Sequence, residues 1–188
     1  MRRTALLPVL VLLAVACAPS APLKVSLART ASVAARADGA IGGGEYAFRA
    51  TDPATKIEIQ ASADSAALHV ALRSPGAGWL AMGLGSGGMN GAVMVIAMLG
   101  GDGKWKVEEH LGKPMFRHSP VDTPNLIEAK AWQEGGRTCL EFSIPLRYSG
   151  DKALATGAST PFILAYHKDR GSLSKHTRKS SGSITLSR

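Results

Sequence analysis

Gly78-Trp79-Leu80-Ala81-Met82-Gly83-Leu84-Gly85, then a glycine-rich loop carrying Met89, then Ala92-Val93-Met94-Val95-Ile96-Ala97-Met98-Leu99: the fold is decided by this stretch. Two apolar runs of strand length flank Ser86-Gly87-Gly88-Met89-Asn90-Gly91, which is rich in turn formers and has no helical period. In the second run both alternating sets of side chains are apolar, and Phe162-Ile163-Leu164-Ala165-Tyr166 repeats the pattern. A strand apolar on both sides must be covered on both faces. One cover is an opposing sheet, and the other is loops, a partner protein or a flat apolar ligand.

Runs of period two extend outward from this centre. They occupy residues 45–50, 56–62, 66–74, 78–84, 92–99, 105–111, 126–132, 137–144, 161–168 and 183–187, separated by Gly, Pro, Asp and Ser. About ten strands at such spacing, with no long amphipathic helix, predict an all-β fold, an antiparallel immunoglobulin-like β-sandwich.

Met1-Arg2-Arg3 followed by the apolar stretch from Ala5 to Ala16 has the order of a secretory signal and is short for a membrane span. A signal peptide is therefore expected over residues 1–16. Ala14-Val15-Ala16-Cys17 resembles a bacterial lipobox, with Leu13 one place further from the cysteine than usual, so lipidation of Cys17 is expected. Residues 17–37, rich in Ala, Ser, Pro and Arg, read as a flexible tether, and residues 38–188 as the folded domain. The expected location is the periplasmic or cell-surface side, with the lipid as membrane anchor.

The 22 Lys and Arg against 14 Asp and Glu give a net charge of +8. Nucleic acid is not an expected partner, because no aromatic platform is interleaved with the basic residues of an exported chain. An anionic head group or a carboxylate-bearing cofactor fits better. Past Cys17 the only cysteine is Cys139, which alternates within Arg137–Ile144 and is expected to be buried in a strand. The chain has no Cys-x-x-Cys-His for covalent haem and no hydrolase or nucleotide-binding motif, so no catalytic activity is expected.

Haem iron takes axial ligands with a lone pair, commonly His nitrogen and Met sulfur. Met89 precedes one doubly apolar strand, and His176 lies between the other and the final strand. His167 is a competing ligand in the same connection.

Asp38-Gly39-Ala40-Ile41, Gly78–Gly85, Gly88-Met89-Asn90-Gly91-Ala92 and His176 ahead of Ser181-Gly182-Ser183-Ile184-Thr185-Leu186 resemble, in order and spacing, the haem-binding branch of the DOMON family. The resemblance implies a sandwich holding haem b between Met89 and His176, with Lys175, Arg178 and Lys179 facing the haem propionates. It also implies electron transfer to an envelope redox partner protein.

Two other readings stand beside it. One is a sugar- or other ligand-binding DOMON module without haem, with Trp79 as a stacking platform. The other is copper handling through the thioethers Met82, Met89, Met94, Met98 and Met115, since soft sulfur suits cuprous ion.

Overall fold

The computed structural model describes residues 20–115, 117–150 and 152–188. The expected signal peptide and Cys17 lie outside the described residues. Fourteen strands form among them: β1 (Leu23–Ala28), β2 (Phe48–Thr51), β3 (Glu58–Ala63), β4 (Ala67–Arg73), β5 (Leu80–Leu84), β6 (Val93–Leu99), β7 (Trp105–Lys113), β8 (Arg117–Pro120), β9 (Glu128–Glu134), β10 (Arg137–Pro145), β11 (Arg147–Ser149), β12 (Lys152–Ala153), β13 (Ser159–Tyr166) and β14 (Arg178–Ser187). Seven make a sheet in the order β1-β14-β13-β5-β6-β7-β8, five make a second in the order β2-β3-β4-β10-β9, and β11 and β12 form a small hairpin. All ten predicted runs are strands, and the fold is the expected all-β sandwich.

Alternation explains which side chains meet between the sheets. Leu80, Met82 and Leu84 of β5, Val93, Val95 and Ala97 of β6, and Phe162, Leu164 and Tyr166 of β13 point inward. They meet Ile59 and Ala61 of β3, Leu68, Val70 and Leu72 of β4, and Leu140, Phe142 and Ile144 of β10. Burying this apolar set is the main drive for folding, and the registers follow from it: a slip of one residue would turn every inward side chain to the outer face.

The tether expectation for residues 17–37 is corrected. Leu23–Ala28 is a strand that pairs in parallel with β14, Leu23 opposite Gly182 and Leu27 opposite Leu186. The physical reason is its own alternation: Val25 and Leu27 enter the core at 1% and 2% exposure, while Lys24, Ser26 and Ala28 face out. The segment after it is also folded. Ala35 and Tyr46 pack on Ala71, with Val33 and Ile41 against them. This strap covers the outer face of the five-stranded sheet. Buried Glu141 fastens it, accepting from the Gly39 amide at 2.9 Å and from the Tyr46 hydroxyl at 3.2 Å. The folded unit therefore starts near residue 23 rather than 38.

Cys139 lies on that covered face, fully buried and unpaired. Burial raises the pKa of its thiol, partly offset by the Arg73 guanidinium.

A free tether would be indifferent to its apolar residues, whereas a core strand is not. Leu27→Ala should lower the unfolding free energy by about 2–5 kcal/mol in urea titration, and a change below about 0.5 kcal/mol would return the segment to a tether.

Candidate functional site

The outer face of the seven-stranded sheet carries a second apolar cluster, separate from the core. Trp79, Ala81, Ala92, Met94, Ile96 and Met98 are buried in it, and Met89, Ile163 and Ala165 pack against it. This is the second apolar face that the doubly apolar strands present. Gly83 lies beneath it, and a Cβ there would stand 2.8 Å from Ile163 and 3.0 Å from Met94, so glycine is what lets these side chains close over β5.

Two loops carry the expected ligands. Met89 is half-buried in the β5–β6 connection, which leaves Leu84 through Gly85 in the left-handed region at φ 81° and re-enters through Gly91 at φ 76°. The loop is tied by Ala92 N–H to the Met89 carbonyl at 3.0 Å and by the Ser86 hydroxyl to the Asn90 carbonyl at 2.9 Å. Its bed is Gly112 of β7, whose amide donates to Ala92 and whose carbonyl accepts from Gly91. Any Cβ at Gly112 would run into the Met89 carbonyl.

His176 is half-buried in the β13–β14 connection. That connection closes the opposite end of the same strands: His167 N–H donates to the Trp79 carbonyl at 2.9 Å, Trp79 N–H to Arg170 at 2.9 Å, and Leu99 N–H to Gly171 at 3.0 Å. Met89 and His176 are thus carried at opposite ends of the same strands. Burial, then the charges of Lys179 and Lys175, hold the His176 pKa below the usual histidine range. The ring is neutral near pH 7, the form with a lone pair to give. His167 is committed locally: its Nδ1 accepts the amides of Arg170 at 2.9 Å and Asp169 at 3.3 Å. Buried Trp79 Nε1 and Ser174 Oγ have no partner. An orphaned buried polar atom costs about 1–3 kcal/mol.

The basic residues divide between the faces. Lys179 pairs with Ala165 and faces the apolar cluster's side, and Lys175 is exposed in the loop. Arg178 pairs with Tyr166 on the core-facing side and reaches across to the Ala54 carbonyl at 3.5 Å, away from the outer face. The thioethers divide too. Met94 and Met98 share the outer face, Met82 is in the core, and Met115 is 75% exposed in the β7–β8 turn. Among the described residues no group of three or more His, Cys, Asp or Glu could hold a metal ion.

Sequence reasoning passed over two histidines that the fold brings together. His110 of β7 stands opposite Met94 in the ladder, and its Nδ1 lies 2.9 Å from Nδ1 of His118 on β8. Its Nε2 lies 2.9 Å from Glu108 Oε2.

The DOMON domain profile matches residues 51–167, more than half of the sequence. The chain belongs to the DOMON domain family. A comparison with curated proteins finds no match. Among solved structures this DOMON domain is similar to the cytochrome b domain of pyranose dehydrogenase from Coprinopsis cinerea, with TM-score 0.54 and 14% identity over 71% of this chain and 78% of that one. It is also similar to the cytochrome domain of Myriococcum thermophilum cellobiose dehydrogenase, with TM-score 0.53 and 13% identity over 74% and 81%. A family 9 carbohydrate-binding module from Caldicellulosiruptor kristjanssonii, in complex with glucose, gives TM-score 0.50 and 11% identity over 88% and 97%. At these identities the likeness is one of fold. The DOMON profile takes in Met89 and ends at His167, so His176 and β14 lie beyond it.

Gly112→Val should displace the Met89 loop of this DOMON domain, seen as accelerated amide exchange at Gly91 and Ala92; unchanged exchange would mean that β7 does not support the loop. The histidines predict an acid response. Burial and His110 lower the His118 pKa as well, so below the usual histidine pKa of about 6.5 the unfolded chain takes up protons that the folded one resists. Stability should fall from pH 7 to pH 5, and urea titrations should show a smaller fall in His176→Gln. Equal falls in the two proteins would remove His176 from the effect.

Proposed function

We propose that this DOMON domain binds haem b against the outer face of its seven-stranded sheet, with Met89 and His176 as axial ligands, and carries electrons in the cell envelope without catalysing a reaction. The observation that carries the reading is the apolar face itself, with Met89 packed against it and two unpartnered buried donors, Trp79 Nε1 and Ser174 Oγ; His176 is carried at the opposite end of the same strands, and the two connections would have to close over the face for both side chains to reach one iron. That donor set fits a flat apolar group with a polar rim. When bound, haem supplies one-electron chemistry, and two protein ligands leave its iron no open position for a substrate.

This chain's own residues do the rest. Ile96, Ile163, Ala165 and Trp79 exclude water from the face, which tunes the redox potential of any iron held there. Lys175 and Lys179 offer positive charge to propionates at the rim. Arg178 is the least suited of the three basic residues, since its side chain reaches towards Ala54. The solved cytochrome domains share the sandwich, which is in keeping with the reading. The charged and then apolar order of residues 1–16 supports export, and the small residues before Cys17 support a lipid anchor, which would hold the domain beside a membrane redox partner.

A second reading, sugar binding without haem, has one observation in its favour. A cleft of about 320 Å³ on the five-stranded sheet is lined by Arg49, Glu58, Gln60 and Arg73, side chains able to hydrogen-bond hydroxyl groups. Trp79, the expected stacking platform, lies on the other sheet from this cleft and is 6% exposed.

Absorption spectroscopy of the full chain with haem b separates the two. The expected result is a Soret band with resolved α and β bands on reduction, and Met89→Ala and His176→Ala should each lose the low-spin pattern. A Met89→Ala spectrum identical to that of the parent would remove Met89 as ligand. A protein that takes up no haem but releases heat on titration with glucose would favour the sugar reading.

A further inference from the structure

We propose a second metal site, separate from Met89 and His176, in which Nδ1 of His110 and Nδ1 of His118 bind a cuprous ion between β7 and β8. Glu108 Oε2 lies 2.9 Å from His110 Nε2, and a carboxylate oxygen accepts, so Nε2 carries the proton and Nδ1 of the neutral ring carries the lone pair. That lone pair points at Nδ1 of His118, 2.9 Å away, which in the absence of metal must be the donor. Tautomerisation of His118, which gives up its Nδ1 proton and takes one from solvent at Nε2, leaves two lone pairs converging on one point with both rings still neutral.

The surroundings suit a metal. A histidine whose remote N–H is held by a carboxylate has the orientation and basicity of a metal ligand, and Glu108 is itself held by Lys106 Nζ at 2.5 Å. His110 is 3% exposed, while His118 is half-buried on the edge strand, so an ion has one fixed donor and one that can move to admit it. The two rings meet edge to face, with centroids 4.9 Å apart.

The donor set selects the ion. Two neutral imidazoles supply no charge and only two donors, too few for zinc, which takes four ligands. Cuprous ion accepts nitrogen and sulfur donors. Met94, directly opposite His110 on the same outer face, places a thioether as a third ligand within a side chain's reach.

The test uses the full chain without added metal, titrated anaerobically with cuprous ion against a chromogenic competing chelator. One equivalent should bind in the parent, and His118→Gln should abolish it; because His118 is on an edge strand, that variant should keep the parent's circular dichroism. Glu108→Gln should weaken binding roughly 10- to 100-fold, whereas Met115→Leu, at the exposed β7–β8 turn, should leave it unchanged. Proton-nitrogen correlation spectra should show both Nδ1 resonances moving on metal addition. Failure of the parent to bind, or binding of equal strength in folded His118→Gln, would overturn the proposal.

Discussion

Three central strands with no polar side govern this molecule. β5, β6 and β13 put apolar residues between the sheets and apolar residues on the outside as well. Sandwich strands commonly alternate apolar and polar, and water can then cover the outer face. Here it cannot, so the β5–β6 and β13–β14 connections cover the ends of that face. The loops that bear Met89 and His176 are therefore parts of the fold's apolar closure as well as carriers of possible ligands. Glycine makes this close packing possible at two points, Gly83 under Ile163 and Met94, and Gly112 under the Met89 backbone.

The other sheet solves a different problem. Its outer side holds His69, Ser143, Glu141 and Cys139, all buried. The strap after β1 covers part of that face, and the polar groups satisfy one another: His69 bonds to Asp64 at 3.1 Å and to Ser143 at 2.8 Å, while Glu141 holds the strap. One face of the sandwich is thus closed by apolar contact and the other by hydrogen bonds. Buried polar groups are costly when unpaired, so the strap's registration is fixed by Glu141 more tightly than apolar packing alone would fix it.

Much of this was legible in the sequence. Ten of the strands showed as runs of period two, and the doubly apolar runs announced a face needing a second cover. β1 was missed because its six residues sit among Ala, Ser and Arg, and its partner β14 is almost the whole domain away. The short strands β8, β11 and β12 carry too few residues for a period to register. Of the site, the apolar bed was readable; Arg178 was expected at the haem propionates, although counting back in twos from Leu186 puts it on the core-facing side. The His110–His118 pair was not readable, because the two residues meet only through the hairpin register that sets Gly112 opposite His118.

The parallel pairing of β1 with β14 bears on how the domain comes together in time. The contact that completes the seven-stranded sheet joins its first strand in sequence to its last, so it forms only after the chain through β14 is present. Closing so long a loop is entropically slow. Until β14 docks, β13 is an unprotected edge with Phe162 and Leu164 beside it, a surface that invites pairing between chains. A fragment lacking β14 keeps that edge open, so aggregation and proteolysis would compete with folding most strongly for incomplete chains.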